Sequence, residues 1–125
     1  MSNTLVTWLA AQNPEEWPSL ELLQHIDDSA LLKLAVTDTI RWFQGHFEQQ
    51  PVLPGVAQIH WAVALSRQLF APCQRYTGMD AVKFKKMILP ATEVELQLQY
   101  VAAKAQVKFC YRAEGVECSS GTLRF

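Results

Sequence analysis

Residues 54 to 70 read as an apolar helix. On a helical wheel Val56, Ile59, Trp61, Ala62, Val63, Ala64, Leu65, Leu69 and Phe70 cover almost the whole circumference. A helix that is apolar all round belongs inside a protein, so the remaining elements have to be arranged around it. Pro54 suits its first turn, where a missing N–H costs nothing, and Pro72 lies just past its end. His60 and Arg67 share one narrow polar stripe on this helix. On an enclosed helix such a stripe has to meet partners or substrate.

What surrounds the helix reads mostly as strand. Val94, Leu96, Leu98 and Tyr100 alternate with Glu93, Glu95, Gln97 and Gln99, the cleanest period-two pattern in the chain. Val107, Phe109 and Tyr111 alternate in the same way with Gln106, Lys108 and Arg112. Ala113-Glu114-Gly115 marks a turn into a last strand over 116–125, and 81–88 reads as a strand before them. Toward the N-terminus, 4–11 reads as a short helix and 13–18 as a loop limited by prolines. Residues 19–26 fit neither period cleanly. Asp27-Asp28-Ser29 is a turn, and 31–36 is a strand that pairs with 19–26 as a hairpin. One buried helix followed by an antiparallel meander gives an α+β fold, a sheet wrapped around a helix. At 125 residues, with half of them hydrophobic, the chain reads as one domain over 1–125.

The chemistry concentrates just before the helix. Phe43-Gln44-Gly45-His46-Phe47-Glu48-Gln49-Gln50-Pro51-Val52-Leu53-Pro54-Gly55-Val56 places a histidine in a Gly- and Pro-punctuated loop, then leads straight into the helix. The first backbone N–H groups of a helix have no partner within it, so those of Gly55 and Val56 are candidates to hold a developing oxyanion; ordinary capping is the plain alternative. His46 is a candidate general base, because imidazole titrates near neutral pH. A loop histidine engaged only in hydrogen bonding is the plain alternative there. His60, about two turns past the helix start, is either a satisfied core histidine or a second catalytic group. Lys83, Lys85 and Lys86 around Phe84 read as a lysine-protected strand edge or as a docking patch for an acidic partner or a phosphate.

Other classes of function are disfavoured. The formal charge is −1 and the 11 basic residues are scattered, unlike the basic stripe of a nucleic-acid binder. No apolar run approaches the roughly 20 residues that span a bilayer, and residues 1–12 lack the basic start of a secretory signal. Cys73, Cys110 and Cys118 form no C-x-x-C pair, which points to reduced thiols in the cytoplasm. His46-Phe47-Glu48 with Pro72-Cys73-Gln74-Arg75-Tyr76 imitates the zinc-deaminase pattern H-x-E then P-C-x-x-C. Tyr76 stands where the last thiolate ligand would be, so no metal is expected.

Gly45-His46-Phe47, Pro51 and Leu53-Pro54-Gly55-Val56 together resemble the signature of the (3R)-hydroxyacyl-[acyl-carrier-protein] dehydratases of the hot-dog fold, roughly G-H-F-P-x-x-P-x-M-P-G-V. The apolar helix, Phe84-Lys85, Pro90 and Ser119-Ser120-Gly121 fall where that family places them. More narrowly, Leu53-Pro54-Gly55-Val56-Ala57-Gln58 with Trp61-Ala62 is similar to the small thioester dehydratases encoded with aryl polyene biosynthesis systems. The resemblance implies an antiparallel sheet wrapped around the 54–70 helix. It implies a homodimer with two active sites at the interface, each taking His46 from one chain and a helix residue from the other. It also implies an acyl carrier protein as the partner that presents the substrate, and no cofactor, since elimination changes no redox state. In the family the histidine removes the α-proton, a helix carboxylic acid protonates the leaving hydroxyl, and the Gly55 amide would polarise the thioester carbonyl.

Two positions depart from the pattern. Glu48 stands where the family has proline, and His60 stands where it has the catalytic Glu or Asp. The leading reading is therefore a two-histidine dehydratase, with His46 as base, His60 as acid, Gly55 and Val56 binding substrate, and Glu48 a candidate partner for His60. A thioesterase on the same fold, using Glu48, and a non-catalytic subunit that binds acyl groups or carrier are the alternatives.

Overall fold

A computed structural model describes residues 3–37, 40 and 52–125. His46, Glu48 and the rest of the loop from Gly45 to Pro51 lie outside the described residues. The elements are α1 (Asn3–Ala10), β1 (Ser19–Ile26), β2 (Ser29–Val36), α2 (Gly55–Leu69), β3 (Gly78–Phe84), β4 (Thr92–Val101), β5 (Gln106–Ala113) and β6 (Val116–Arg124). The strands make one sheet in the order β1-β2-β4-β5-β6-β3, every neighbouring pair antiparallel. This is the hot-dog arrangement, a sheet curled around one helix. Among the described residues no helix is long and apolar enough to cross a membrane.

Alternation along the strands decides which face meets the helix. Leu32, Leu34 and Val36 of β2, Val94, Leu96 and Leu98 of β4, and Val107, Phe109 and Tyr111 of β5 are all buried. Their intervening charged and amide neighbours face outward. The register reinforces this: Leu32 pairs with Leu96, Leu34 with Val94, and Leu98 with Phe109. The unclear period of 19–26 has a local cause. A bulge between Leu22 and Gln24 shifts the phase of β1, which lies at one edge of the sheet; an extra residue moves every later side chain to the other face. At the β5–β6 turn, Glu114 and Gly115 take φ of 51° and 78°, the pair of positive values that marks a type I′ two-residue hairpin.

The helix differs from the sequence expectation in one respect that matters. It is not enclosed all round. Ala57, Gln58, Trp61, Ala62, Leu65, Ser66 and Leu69 are buried, whereas Val56 is 64% exposed and His60 and Arg67 are exposed. A single sheet covers one side of a helix, so the apolar residues left over form a second face. Pro54 is the N-cap rather than the first helical residue. β3 also begins and ends earlier than 81–88: Ala81 takes φ of 52° at a bulge between Asp80 and Lys83, and the chain leaves the sheet after Phe84.

Buried polar groups on α2 are matched by the sheet or within the helix itself. The Tyr111 hydroxyl donates to the Gln58 backbone carbonyl at 2.7 Å, and the Ser66 hydroxyl donates to the Ala62 carbonyl at 2.7 Å. Burial pushes the Tyr111 phenol well above its usual range, so it acts as a neutral donor. Tyr111→Phe is expected to lower stability by about 0.5–1.5 kcal/mol, the net worth of one such bond. The check is a fall in the urea midpoint with an unchanged slope.

Candidate active site at the start of helix α2

The start of α2 is fixed from three sides. Pro54 has extended backbone (φ −67°, ψ 152°), and its carbonyl accepts from the Ala57 and Gln58 amides at 3.1 and 3.3 Å. The Leu53 amide donates to the Ile88 carbonyl at 2.8 Å, which ties the incoming chain to the segment after β3. The Gln58 side chain, 3% exposed, then spans the gap. Its Nε2 donates to the Leu53 carbonyl at 3.2 Å, and its Oε1 accepts from the Ser119 hydroxyl of β6 at 2.6 Å. With the turn held this way, the Gly55 and Val56 amides lead the helix, and no described residue hydrogen-bonds to either.

Phe84, at the end of β3 and 53% exposed, lies against this start. A Cβ at position 55 would stand 2.8 Å from Cε1 of its ring, and closer still to Cζ. Position 55 thus has to be glycine for the ring to lie where it does. Gly55 and Phe84 line two grooves. One, of about 570 Å³, runs past Leu53, Pro54, Gln58, Lys85, Lys86 and Met87. The other, of about 430 Å³, is walled by Val56, Ile59, His60, Val63, Tyr76 and Met79. The first carries the polar and charged groups; the second is apolar apart from His60 and the Tyr76 hydroxyl.

Of the four site residues expected from sequence, three are therefore described. Gly55 and Val56 are the first two residues of α2, and His60 stands on the flank that Val56, Ile59 and Val63 present to the apolar groove. His46 lies outside the described residues. His60 is exposed in the protomer, not enclosed as the helix pattern suggested. Sequence reasoning missed Gln58 and Ser119. The available signal was a polar residue, Gln58, inside an apolar stretch, since a buried amide has to find partners.

The lysine cluster is divided by its neighbours. Lys85 Nζ stands 2.6 Å from Glu117 Oε2, while Lys83 and Lys86 are exposed and, among the described residues, make no ion pair. The hydrogen-bonded Lys85 ammonium is the main cause that holds the Glu117 carboxyl below its usual range. Partial burial opposes this, and a smaller lowering comes from the Cys110 thiol, which donates to Glu117 Oε1 at 3.6 Å. Burial in turn pushes that thiol up.

Two outcomes test this geometry. The Phe84 ring is half-exposed and able to swing, so Gly55→Ala is expected to leave the melting temperature near that of the wild type. The displaced ring should nevertheless lower kcat/KM, and adding Phe84→Ala should recover part of the loss, a coupling that a double-mutant cycle reads directly. For the ion pair, the folded Glu117 value lies below the unfolded one. Its stabilisation is then present above the ordinary carboxylate pKa and lost as pH falls through the folded value. Glu117→Gln should lower the urea midpoint at neutral pH and leave it unchanged in strong acid.

Comparison with known proteins places this arrangement. Residues 23–122 match the ApeI-like family, described as ApeI dehydratase. The 3-hydroxyacyl-[acyl-carrier-protein] dehydratase FabZ of Streptococcus equi subsp. zooepidemicus is 32% identical over 90% of this chain and 89% of its own length. A chain of the dehydratase heterocomplex ApeI:P from Xenorhabdus doucetiae superposes with a TM-score of 0.80 at 30% identity, over 86% of this chain and 96% of that one. Mouse thioesterase superfamily member 2 shares the fold, with a TM-score of 0.67 over 83% of this chain and 78% of its own, but only 9% identity. The ApeI-like model spans most of the sequence, and the chain belongs to the ApeI-like dehydratase family.

Proposed function

We propose that the protein dehydrates a (3R)-hydroxyacyl thioester, carried on an acyl carrier protein, to the trans-2-enoyl thioester. The observation that carries this is the start of α2, whose leading amides open beside a groove with an imidazole, His60, on its wall. A thioester carbonyl seated on the Gly55 amide, with Val56 beside it, has its developing negative charge stabilised by a fixed dipole. That acidifies the α-carbon. His46 then takes the α-proton, the C–H electrons form the C2–C3 double bond, and the hydroxyl on C3 leaves as water with a proton from His60. One imidazole has to be neutral while the other is protonated, so kcat/KM should fall on both sides of an optimum. No redox partner enters the balance.

The exposed apolar flank of α2 and the edge strand β3, with Met79 and Phe84 exposed, support pairing with a second copy, so that the site is completed across the interface. Lys83 and Lys86 suit the acidic surface of a carrier protein. The apolar groove suits the acyl chain, whether a fatty or an aryl-polyene-type chain. Reduced Cys73, Cys110 and Cys118 fit a cytoplasmic setting.

Incubating the purified protein with a (3R)-hydroxyacyl carrier-protein thioester should give the enoyl product, read as loss of water by mass spectrometry. His46→Ala and His60→Ala should each cost roughly 10²–10⁴-fold, the usual range for a positioned acid or base. His60→Glu, which restores the helix carboxylate of the resembled family, should retain turnover. Release of free acid would make the protein a thioesterase. Binding of the carrier thioester without turnover would make it a non-catalytic subunit.

A further inference from the structure

His60 is exposed toward the groove, yet its ring does not stand alone. The segment between α1 and β1 folds into a tight turn. The Asn13 side chain accepts from the Glu15 amide at 2.9 Å, and the Asn13 carbonyl accepts from the amides of Glu16 and Trp17 at 2.9 and 3.1 Å. The indole N–H of Trp61, on α2 itself, donates to the Glu16 carbonyl at 3.0 Å. This pins the turn to the helix one residue before Trp17 and one residue after His60. Trp17, 6% exposed, packs edge-on against Trp8 with centroids 4.9 Å apart, and tilted against Trp61 at 6.1 Å. Among the described residues its third ring contact is His60, with ring centroids 5.7 Å apart and planes at 54°.

From this we infer that Trp17 is a positioning residue for His60. Its indole is the wall against which the imidazole rests, and it sets the direction in which the ring delivers its proton. The physical basis is rotational. An exposed histidine samples several side-chain rotamers, and only those that aim a ring nitrogen into the groove are productive. A buried aromatic ring that rests on Trp61 and is pinned by a main-chain hydrogen bond removes part of that freedom before substrate arrives. Trp8 supplies an internal comparison. It belongs to the same aromatic cluster and touches Trp17, but it makes no ring contact with His60 among the described residues. A general loosening of the cluster would reach His60 from either position, whereas direct support of the imidazole depends on Trp17.

The kinetic part of this inference rests on the dehydratase reading; the placement of the ring does not. The test uses the full-length protein with Trp17→Ala, Trp17→Phe and Trp8→Ala. Turnover is measured on a (3R)-hydroxybutyryl carrier-protein thioester, and the histidine ring signals are followed by NMR, with His60 identified from His60→Gln. Trp17→Ala is expected to lower kcat by up to roughly 10²-fold, the scale of a misplacement of about 1 Å, with little change in KM. It should also move the His60 signal as the indole ring current is lost. Trp17→Phe, which keeps a planar ring, should recover most of kcat. It also keeps the inference testable if the alanine variant does not fold. Trp8→Ala should leave the His60 signal and kcat close to wild type. An unmoved His60 signal in both Trp17 variants overturns the inference, as does an equal loss of kcat in Trp8→Ala and Trp17→Ala. If the wild type forms no enoyl product, the dehydratase reading falls and the ring signal alone decides the placement.

Discussion

Gln58 joins the turn before α2 to the β5–β6 hairpin, which lies far along the chain. Through Nε2 it holds the Leu53 carbonyl ahead of α2, through Oε1 it receives the Ser119 hydroxyl from β6, and its own backbone carbonyl takes the Tyr111 hydroxyl from β5. A buried polar group of this kind is costly to leave unmatched. The turn before the helix and the two strands are therefore specified relative to one another, not merely packed. The leading amides of α2 inherit that precision. So do Phe84 and the two grooves beside it, since the ring lies on the glycine that this network fixes.

Much of the fold was legible in the sequence because it rests on short-range patterns. Period-two alternation marked β4 and β5, and Glu114-Gly115 marked the hairpin of β5 with β6. The prolines at 54 and 72 bracketed α2. The strand at 19–26 was ambiguous because its bulge breaks the alternation that identifies a strand. The helix misled for another reason. Counting apolar residues around a wheel reports how much surface needs cover, not whether the same chain supplies the cover. Val56 is apolar and yet exposed, and Ile59 and Val63 are only partly buried against the core.

The site was legible where it depends on backbone and less so where it depends on tertiary contact. Gly55 and Val56 follow from Pro54 and the helix start. His60 follows from its place on the helix, although its contact with Trp17 does not, because 42 intervening residues separate the two in sequence and only the turn after α1 brings them together. Gln58 and Ser119 are likewise distant in sequence, and a lone glutamine in an apolar run gives no sign of which strand will answer it. The lysine cluster shows the opposite limit: three neighbouring lysines look equivalent until Glu117 is seen to neutralise one of them.

The uncovered flank of α2 has a consequence for how the protein is handled. If a second copy closes over Val56, Ile59 and Val63, association draws the folded state down in free energy by mass action. The melting temperature then becomes a function of how much protein is in the tube. Dilution, as in a kinetic assay, would weaken the fold and dismantle the site together, and specific activity would fall with concentration before any residue of the site had been changed.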